Sequence, residues 1–251
     1  MEAQFKDHFS RLAAQYSAFR PLYPAALFDY LVGLCPEHRL AWDCACGSGQ
    51  ASLPLAGYFD AVTATDASAQ QIAAASPHPR VTYRVAPAEE SGIDAASVDL
   101  VTVAQAMHWF DCGAFYREVN RVLRDRGVLA VWSYGNPIVE GEALTRLVTT
   151  FYSQTVGEYW PPERRHVEAG YRTLPFPFKE VQTPNFEMSE QWTLEQLLGY
   201  LRSWSATGRY VAQHGTDPVV ALESDMSQAW GPVEHRRRIS WPFILRVGRR
   251  S

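Results

Sequence analysis

Blocks of apolar and polar residues follow one another along the 251-residue chain, and their periods predict its elements. Leu40–Trp42 is a short apolar run ending in Asp43 and then glycines, as a buried parallel strand entering a turn reads. Gln50–Phe59 predicts a helix, with Leu53, Ala56 and Gly57 at helical spacing. "DAVTAT" (Asp60–Thr65) predicts a second strand, ended by Asp66. Ser68 and Gln71 form an S-x-x-Q capping box that opens the next helix. "RVTYRVA" alternates as a strand does, and Ser97–Ala106 is the longest β-rich apolar run of the first half. Phe110, Asp111 and Phe115 fit a hydrophobic staple around an Asp N-cap, opening a helix with Phe115, Val119, Val122 and Leu123 on one face. "RGVLAVWSYG" predicts a further strand. Strand and helix thus alternate over residues 38–135, which predicts an α/β fold with a parallel sheet covered on both faces.

The second half reads differently. Glu140–Glu158 predicts a helix, and "YWPPERR" a proline break. Phe178–Met188 reads as a strand, Thr193–Trp204 as a helix opened by a Thr193/Gln196 capping box, Asp217–Trp230 as a helix, and Ile239–Val247 as a last strand. Strands separated by long helical insertions predict that the sheet is completed here while the insertions cover its ligand edge.

Composition narrows the class. Hydrophobic residues make up 47% and charged residues 20%, which excludes global disorder, and a net charge of −4 provides no basic field for nucleic acid. The basic runs "EHRRRIS" and "RVGRRS" read as a solvated strand edge or tail, with an anionic-partner patch as the alternative. The N-terminus lacks the apolar region of a signal peptide, and no run approaches the roughly 20 apolar residues of a membrane span. Four cysteines are too few for a disulfide scaffold, so a cytoplasmic location is expected.

The stretch "LAWDCACGSGQ" carries the candidate chemistry. Ligands of open α/β sheets bind beyond the carboxyl ends of the strands, where the first turn lies. Gly47 and Gly49 remove Cβ atoms where a ligand must approach the backbone. A dinucleotide fingerprint needs a third glycine or alanine, and Ser52 stands there instead. No lysine lies in the turn, so a P-loop is disfavoured too. Asp66 ends the second strand, placed to accept ribose hydroxyls, and Asp43 is placed for a cationic amino group. Acids at two adjacent strand ends suit a cationic ligand with a ribose and no phosphate, a description that S-adenosylmethionine meets. Cys44 and Cys46 form C-x-C without the paired spacing of zinc sites, and small buried packing is the reading preferred to metal.

The order "WDCACGSGQ", "ATDAS", "APAEES", "SVDLVTVAQAMHWFD" and "REVNRVLRDRGVLAVWSYG" resembles the class I S-adenosylmethionine-dependent methyltransferases, in their type 11 small-molecule branch. "YSAFRPLYP", "AQAMHWFD" and "WTLEQLLGYLRSWSATGRY" resemble the trans-aconitate methyltransferase-like group more particularly. The resemblance covers residues 16–135 in the core and extends to about residue 210. One departure is Ala45, where the family's D-x-G-x-G-x-G turn has its first glycine. A second is Pro87, where many relatives carry an acid.

The resemblance implies a Rossmann-like seven-stranded sheet, its last strand antiparallel, with a helical lid. It implies one methyltransferase domain over 1–251: N-terminal helices over the site (1–36), a cofactor-binding core (37–136), then lid insertions and last strands (137–251). By position, Asp43, Ala45, Gly47 and Gly49 would line the methionine end of the cofactor. Asp66 would hold the ribose, Ala67 would border the adenine, and Ala88 and Glu89 would sit at its edge. Gln105 and Ala106 would lie beside the methionine moiety, with Tyr16 and Arg20 folded over the site. For Arg20, packing against Tyr23 and Pro24 is the alternative to pairing with the cofactor carboxylate.

Methyl transfer from an activated sulfonium needs mainly a positioned nucleophile and exclusion of water. His108 reads as a catalytic base or substrate hydrogen-bond partner, or as a structural histidine. Trp109 and Trp204 read as substrate-pocket residues or as packing, and Tyr134 as pointing over the substrate or as a surface residue. Arg202 and Arg209 would serve an anionic substrate or be ordinary surface arginines. The expected function is methyl transfer to a small molecule, with carboxylate O-methylation implied by the group resemblance and no nucleic-acid or membrane partner. The alternatives are a non-catalytic S-adenosylmethionine-binding sensor or partner protein, and a nicotinamide-dependent oxidoreductase.

Overall fold

The computed structural model describes residues 20–250. Its central sheet has seven strands. In chain order they are β1 (Leu40–Cys44), β2 (Ala61–Asp66), β3 (Val81–Val85), β4 (Val98–Ala104), β5 (Leu123–Tyr134), and later β7 (Lys179–Glu180) and β10 (Phe243–Arg249). They lie in the order β3-β2-β1-β4-β5-β10-β7. β1 to β5 pair in parallel, and β10 runs antiparallel between β5 and β7, as expected for the last strand.

Side-chain alternation explains why this sheet is covered on both faces. In β5, Leu129 and Val131 join one apolar cluster, while Val128, Ala130 and Trp132 join the other. The first cluster is roofed by α4 (Cys112–Val122), which buries Phe115, Val119 and Val122. Asp111 caps it, accepting from Ala114 N–H at 3.0 Å, and the staple closes with Phe110 and Phe115 rings 4.9 Å apart. The second cluster packs under α1 (Ala25–Leu34), whose Leu27, Phe28 and Leu31 meet Trp132, the Phe28 and Trp132 rings crossing edge-on. The helix after β1 is one short turn, α2 (Ser52–Leu55), and Ser68 caps α3 (Ala69–Ala73).

The C-terminal half departs from a purely helical insertion. Helices α5 (Glu142–Thr150), α6 (Arg164–Glu168), α7 (Leu194–Arg202), α8 (Ser205–His214) and α9 (Pro218–Trp230) enclose a second, three-stranded antiparallel sheet. Its order is β6-β9-β8, from Ile138–Val139, Arg237–Trp241 and Met188–Trp192. The run read as one last strand is therefore two, because Pro242, which has no N–H to donate, stands between β9 and β10. The run Phe178–Met188 likewise divides between β7 and β8, which belong to different sheets. A third cluster, rich in Trp192, Tyr200, Trp204, Trp230 and Trp241, forms the interior of this half. The basic runs are spent on structure. Arg236 and Arg237 bond carbonyls of Gln191 and Trp230, Arg238 pairs with Glu187, and Arg246 pairs with Glu180.

Gly248 shows how tightly the sheet edge is packed. A Cβ there would strike Phe178 Cβ and come within 2.8 Å of Phe176 Cε1. Gly248→Ala is expected to cost about 1–3 kcal/mol by overpacking, read from urea denaturation. An unchanged midpoint would mean that β7 yields freely.

Candidate active site

The strand order reverses beside β1: β2 leaves on one side and β4 on the other. The turn Ala45–Gln50 lies beyond the carboxyl end of β1 at this switch. Asp43 is fully buried at its base. One carboxylate oxygen accepts from Ser52 Oγ at 2.6 Å and the other from Thr102 Oγ1 at 2.9 Å, tying β1 to α2 and β4. Gly47 N–H donates to Asp66 Oδ2 at 2.9 Å, and Cys46 N–H to the Thr65 carbonyl at 2.9 Å, so the turn is fastened to the end of β2. The other Asp66 oxygen accepts from Ser68 N–H at 2.8 Å.

Backbone conformation explains the glycines. Gly49 has φ +93° and its missing Cβ makes room for the Tyr83 hydroxyl of β3. Ala45 has φ +54°, a left-handed conformation that glycine adopts without strain. This is the position at which the family's pattern has glycine.

Burial raises the carboxyl of Asp43 to about 6, the Ser52 and Thr102 hydroxyls opposing the rise and the nearby Asp66 charge adding to it. Burial raises Asp66 as well, against its two backbone donors. Glu89, which accepts from Asp111 N–H at 3.1 Å, adds a third negative charge near Cys44. The thiols of Cys44 and Cys46 are buried and their pKa values are pushed up, so they stay protonated. Ala88 and Ala106 are buried, and Ala67 is exposed beside Asp66. Acids, glycines and backbone amides without an arginine or lysine in the turn fit a cofactor that carries positive charge and hydroxyls.

A second group of residues gathers at the ends of β4 and β5. Gln105, His108, Trp109 and Tyr134 line one cavity together with Arg20 and Trp204. Ser133 Oγ donates to Gln105 Oε1 at 2.7 Å, holding a residue whose own φ is +59°. Arg20 donates to Tyr134 Oη at 3.3 Å and to the Ser203 carbonyl at 3.5 Å, and it lies over the Tyr200 ring. Gln50, at the end of the Ala45–Gln50 turn, donates to the Pro21 carbonyl at 2.5 Å. The Arg20–Pro21 segment therefore joins the turn to the C-terminal half. Tyr16 lies outside the described residues.

Sequence reasoning missed Trp160 and Arg164, which complete the cavity. Arg164 lies 4.8 Å over the Trp160 ring and donates to Tyr152 Oη and Asn136 Oδ1, both at 3.1 Å. The signal was present in "YWPPERR", where an aromatic and arginines flank a proline break. Arg202 instead pairs with Asp217 and Glu223, and Arg209 donates to the Tyr159 carbonyl. Burial, reinforced by the charge of Arg164, drives the His108 imidazole down to about 3. Its Nδ1 stands 2.9 Å from Tyr171 Oη.

The sheet order, with one antiparallel strand inserted beside β5, and an acid-based turn at the switch point define a Rossmann-like class I methyltransferase. The family model described as "Methyltransferase domain" matches residues 42–131. The chain is 33% identical over 230 residues to a Dictyostelium discoideum protein named "Putative methyltransferase", covering 90% of this chain and 88% of that one. It is 25% identical to a "Probable S-adenosylmethionine-dependent methyltransferase" of Saccharomyces cerevisiae, covering 83% and 84%. Among solved structures, a "Putative Type II Methyltransferase" from Anaeromyxobacter dehalogenans superposes with a TM-score of 0.85 at 47% identity, covering 92% of this chain and 98% of that one. The chain belongs to the S-adenosylmethionine-dependent methyltransferases, and S-adenosylmethionine is its cofactor.

Two expectations follow. The Asp43 carboxyl is raised from 3.8 to about 6 on folding, so the stability of its neutral form is present below about pH 4 and lost as pH rises through about 6. Without ligand, the wild type should lose about 3 kcal/mol more than Asp43→Asn between those limits, by chemical denaturation at each pH. Parallel curves would refute the assignment. Ala45→Gly relieves a left-handed alanine but loosens the unfolded chain, so stability should change by less than about 1 kcal/mol. A drop in melting temperature matching a larger loss would show that the Ala45 methyl packs productively.

Proposed function

We propose that this methyltransferase acts on a small molecule and methylates a carboxylate oxygen. The carrying observation is the charge of the acceptor cavity. Arg20 and Arg164 line it with Trp109, Trp160, Tyr200 and Trp204, and among the described residues no aspartate or glutamate lines it. Two guanidiniums on an aromatic surface suit a compact anion with apolar or unsaturated carbon. The resemblance to the trans-aconitate methyltransferase-like group supports the same acceptor class. A small anion fits a cytoplasmic enzyme, and no helix among the described residues is long and apolar enough to cross a membrane.

The cofactor brings an activated methyl group. The chain supplies position and surroundings: the Asp43–Gly49 turn, Asp66, Ala67, Ala88, Glu89, Gln105 and Ala106 on the cofactor side, and Arg20, His108, Trp109, Tyr134 and Trp204 on the acceptor side. A carboxylate carries no proton to lose, so the reaction needs no base, in keeping with an imidazole held neutral to about pH 3. The buried rings of Tyr134 and Trp204 exclude water from the acceptor.

The test is calorimetric titration with S-adenosylhomocysteine, followed by screening small carboxylic acids with methyl-labelled cofactor. Asp66→Ala is expected to weaken S-adenosylhomocysteine by at least about tenfold. Arg164→Ala should raise the acid's KM about 10–100-fold, the equivalent of one charged hydrogen bond, and leave cofactor affinity unchanged. Binding without turnover on any acid, but with turnover on amines or phenols, would overturn the acceptor class. No binding at millimolar concentration would overturn the site.

A further inference from the structure

Tyr171 follows Gly170 in the segment after α6, and both residues are left-handed, at φ +56° and +63°. This costly bend for a tyrosine is held on two sides. Tyr171 N–H donates to the His166 carbonyl at 2.8 Å, and Arg246 Nη1 donates to the Tyr171 carbonyl at 3.1 Å. The bend turns the ring inward until it is 1% exposed, with its hydroxyl 2.9 Å from His108 Nδ1.

We propose that Tyr171 is a positioning residue that locks His108 as the neutral Nε2–H tautomer, so that His108 offers the methyl acceptor a hydrogen-bond donor and not a base. Proton accounting leads there. A buried phenol must place its proton on an acceptor. Two other polar groups flank its oxygen, the Met107 N–H and the Ser133 hydroxyl. The first can only donate; the second, whose proton goes to Gln105 Oε1 at 2.7 Å, keeps lone pairs, but the hydrogen bond that the phenol makes in good geometry is the one to His108 Nδ1 at 2.9 Å. The phenol proton is therefore directed to Nδ1. A neutral imidazole carries one N–H, which must then sit on Nε2, the nitrogen left for the cavity that His108 lines.

The surroundings keep the ring neutral. The Trp109 ring lies tilted with its centroid 4.7 Å from it, and the charged or titratable groups bearing on it are Arg164 and His166 of α6 beside Tyr171 itself. Both α6 groups oppose a second proton. With Nδ1 occupied by Tyr171 and Nε2 protonated, the ring has no lone pair to take a proton from the acceptor, which favours an oxygen that is already unprotonated over an N–H or O–H nucleophile that must lose one. That last step rests on the proposed acceptor class, whereas the tautomer does not.

The test is the ¹⁵N spectrum of the imidazoles in the S-adenosylhomocysteine complex of the whole chain, with His108 assigned by His108→Gln. Nε2 is expected to show a bonded proton and Nδ1 none, unchanged from about pH 8 to pH 5. A proton on Nδ1, or titration within that range, overturns the proposal. In Tyr171→Phe the expected result is a mixture of tautomers or titration inside that range, while the S-adenosylhomocysteine Kd moves less than about twofold. A Tyr171→Phe spectrum identical to wild type also overturns it. Should that variant fail to fold, the wild-type spectrum decides alone. The same titration detects any failure of cofactor binding separately.

Discussion

The structure depends on one buried carboxylate. Asp43 lies near the carboxyl end of β1, and its oxygens accept from hydroxyls on α2 and β4, so three elements meet at a single residue beneath the Ala45–Gln50 turn. Burial with only neutral partners among the described residues is costly for a charge, and it pushes the carboxyl up despite the Ser52 and Thr102 bonds. That cost is the converse of an attraction. A fully buried acid with no guanidinium or ammonium of a described residue bonded to it favours a positively charged ligand above it, and Asp66 and Glu89 extend the same field around the turn. The glycines do a separate job. Gly49 lets Tyr83 close against the turn, so the glycine serves strand-to-turn packing as much as ligand access.

The acceptor side rests on a different kind of packing. Trp204 meets the rings of Phe151, Tyr152, Trp160 and Tyr200 at centroid distances of 6.0, 5.8, 5.5 and 5.7 Å. Such edge and tilted contacts fix large planar side chains with little rotamer freedom to lose. Arg164 is held against this surface by Trp160, and Arg20 by Tyr200. Both guanidiniums are thus positioned by aromatic faces and neutral oxygens. Among the described residues Arg164 makes no salt bridge, whereas Arg202 pairs with Asp217.

Legibility in the sequence followed how local each cause is. The Phe110/Asp111/Phe115 staple and the caps at Ser68 and Thr193 were readable because cap and first turn lie within a few residues. The parallel core was readable because β4 and the Gly127–Tyr134 part of β5 are buried on both faces, and β4 is apolar apart from Asp99 and Thr102 while β5 carries the run Val128–Trp132. The β6-β9-β8 sheet was not, because pairing Ile138 with Ser240 is decided across a hundred residues of chain. In the site, Asp43, Gly47, Gly49 and Asp66 follow from one contiguous turn and the next strand end. Arg164 and Tyr171 act through tertiary placement alone. Gly170 before Tyr171 was a hint of a left-handed bend, but nothing nearby in sequence ties it to His108.

The two halves of the site carry opposite signs, and this division bears on rate. Acids surround the cofactor turn, and arginines line the acceptor cavity. With a cationic donor and the anionic acceptor proposed above, methyl transfer would cancel charge as it proceeds, so the transition state would be less polar than the reactants. Water would stabilise the separated charges and slow the step; an aromatic enclosure does not, and fixed ions on each side still recruit the two partners. A neutral His108 belongs to the same logic. An imidazolium there would hold the acceptor's charge and oppose its neutralisation, whereas an N–H dipole orients the oxygen and lets its charge go.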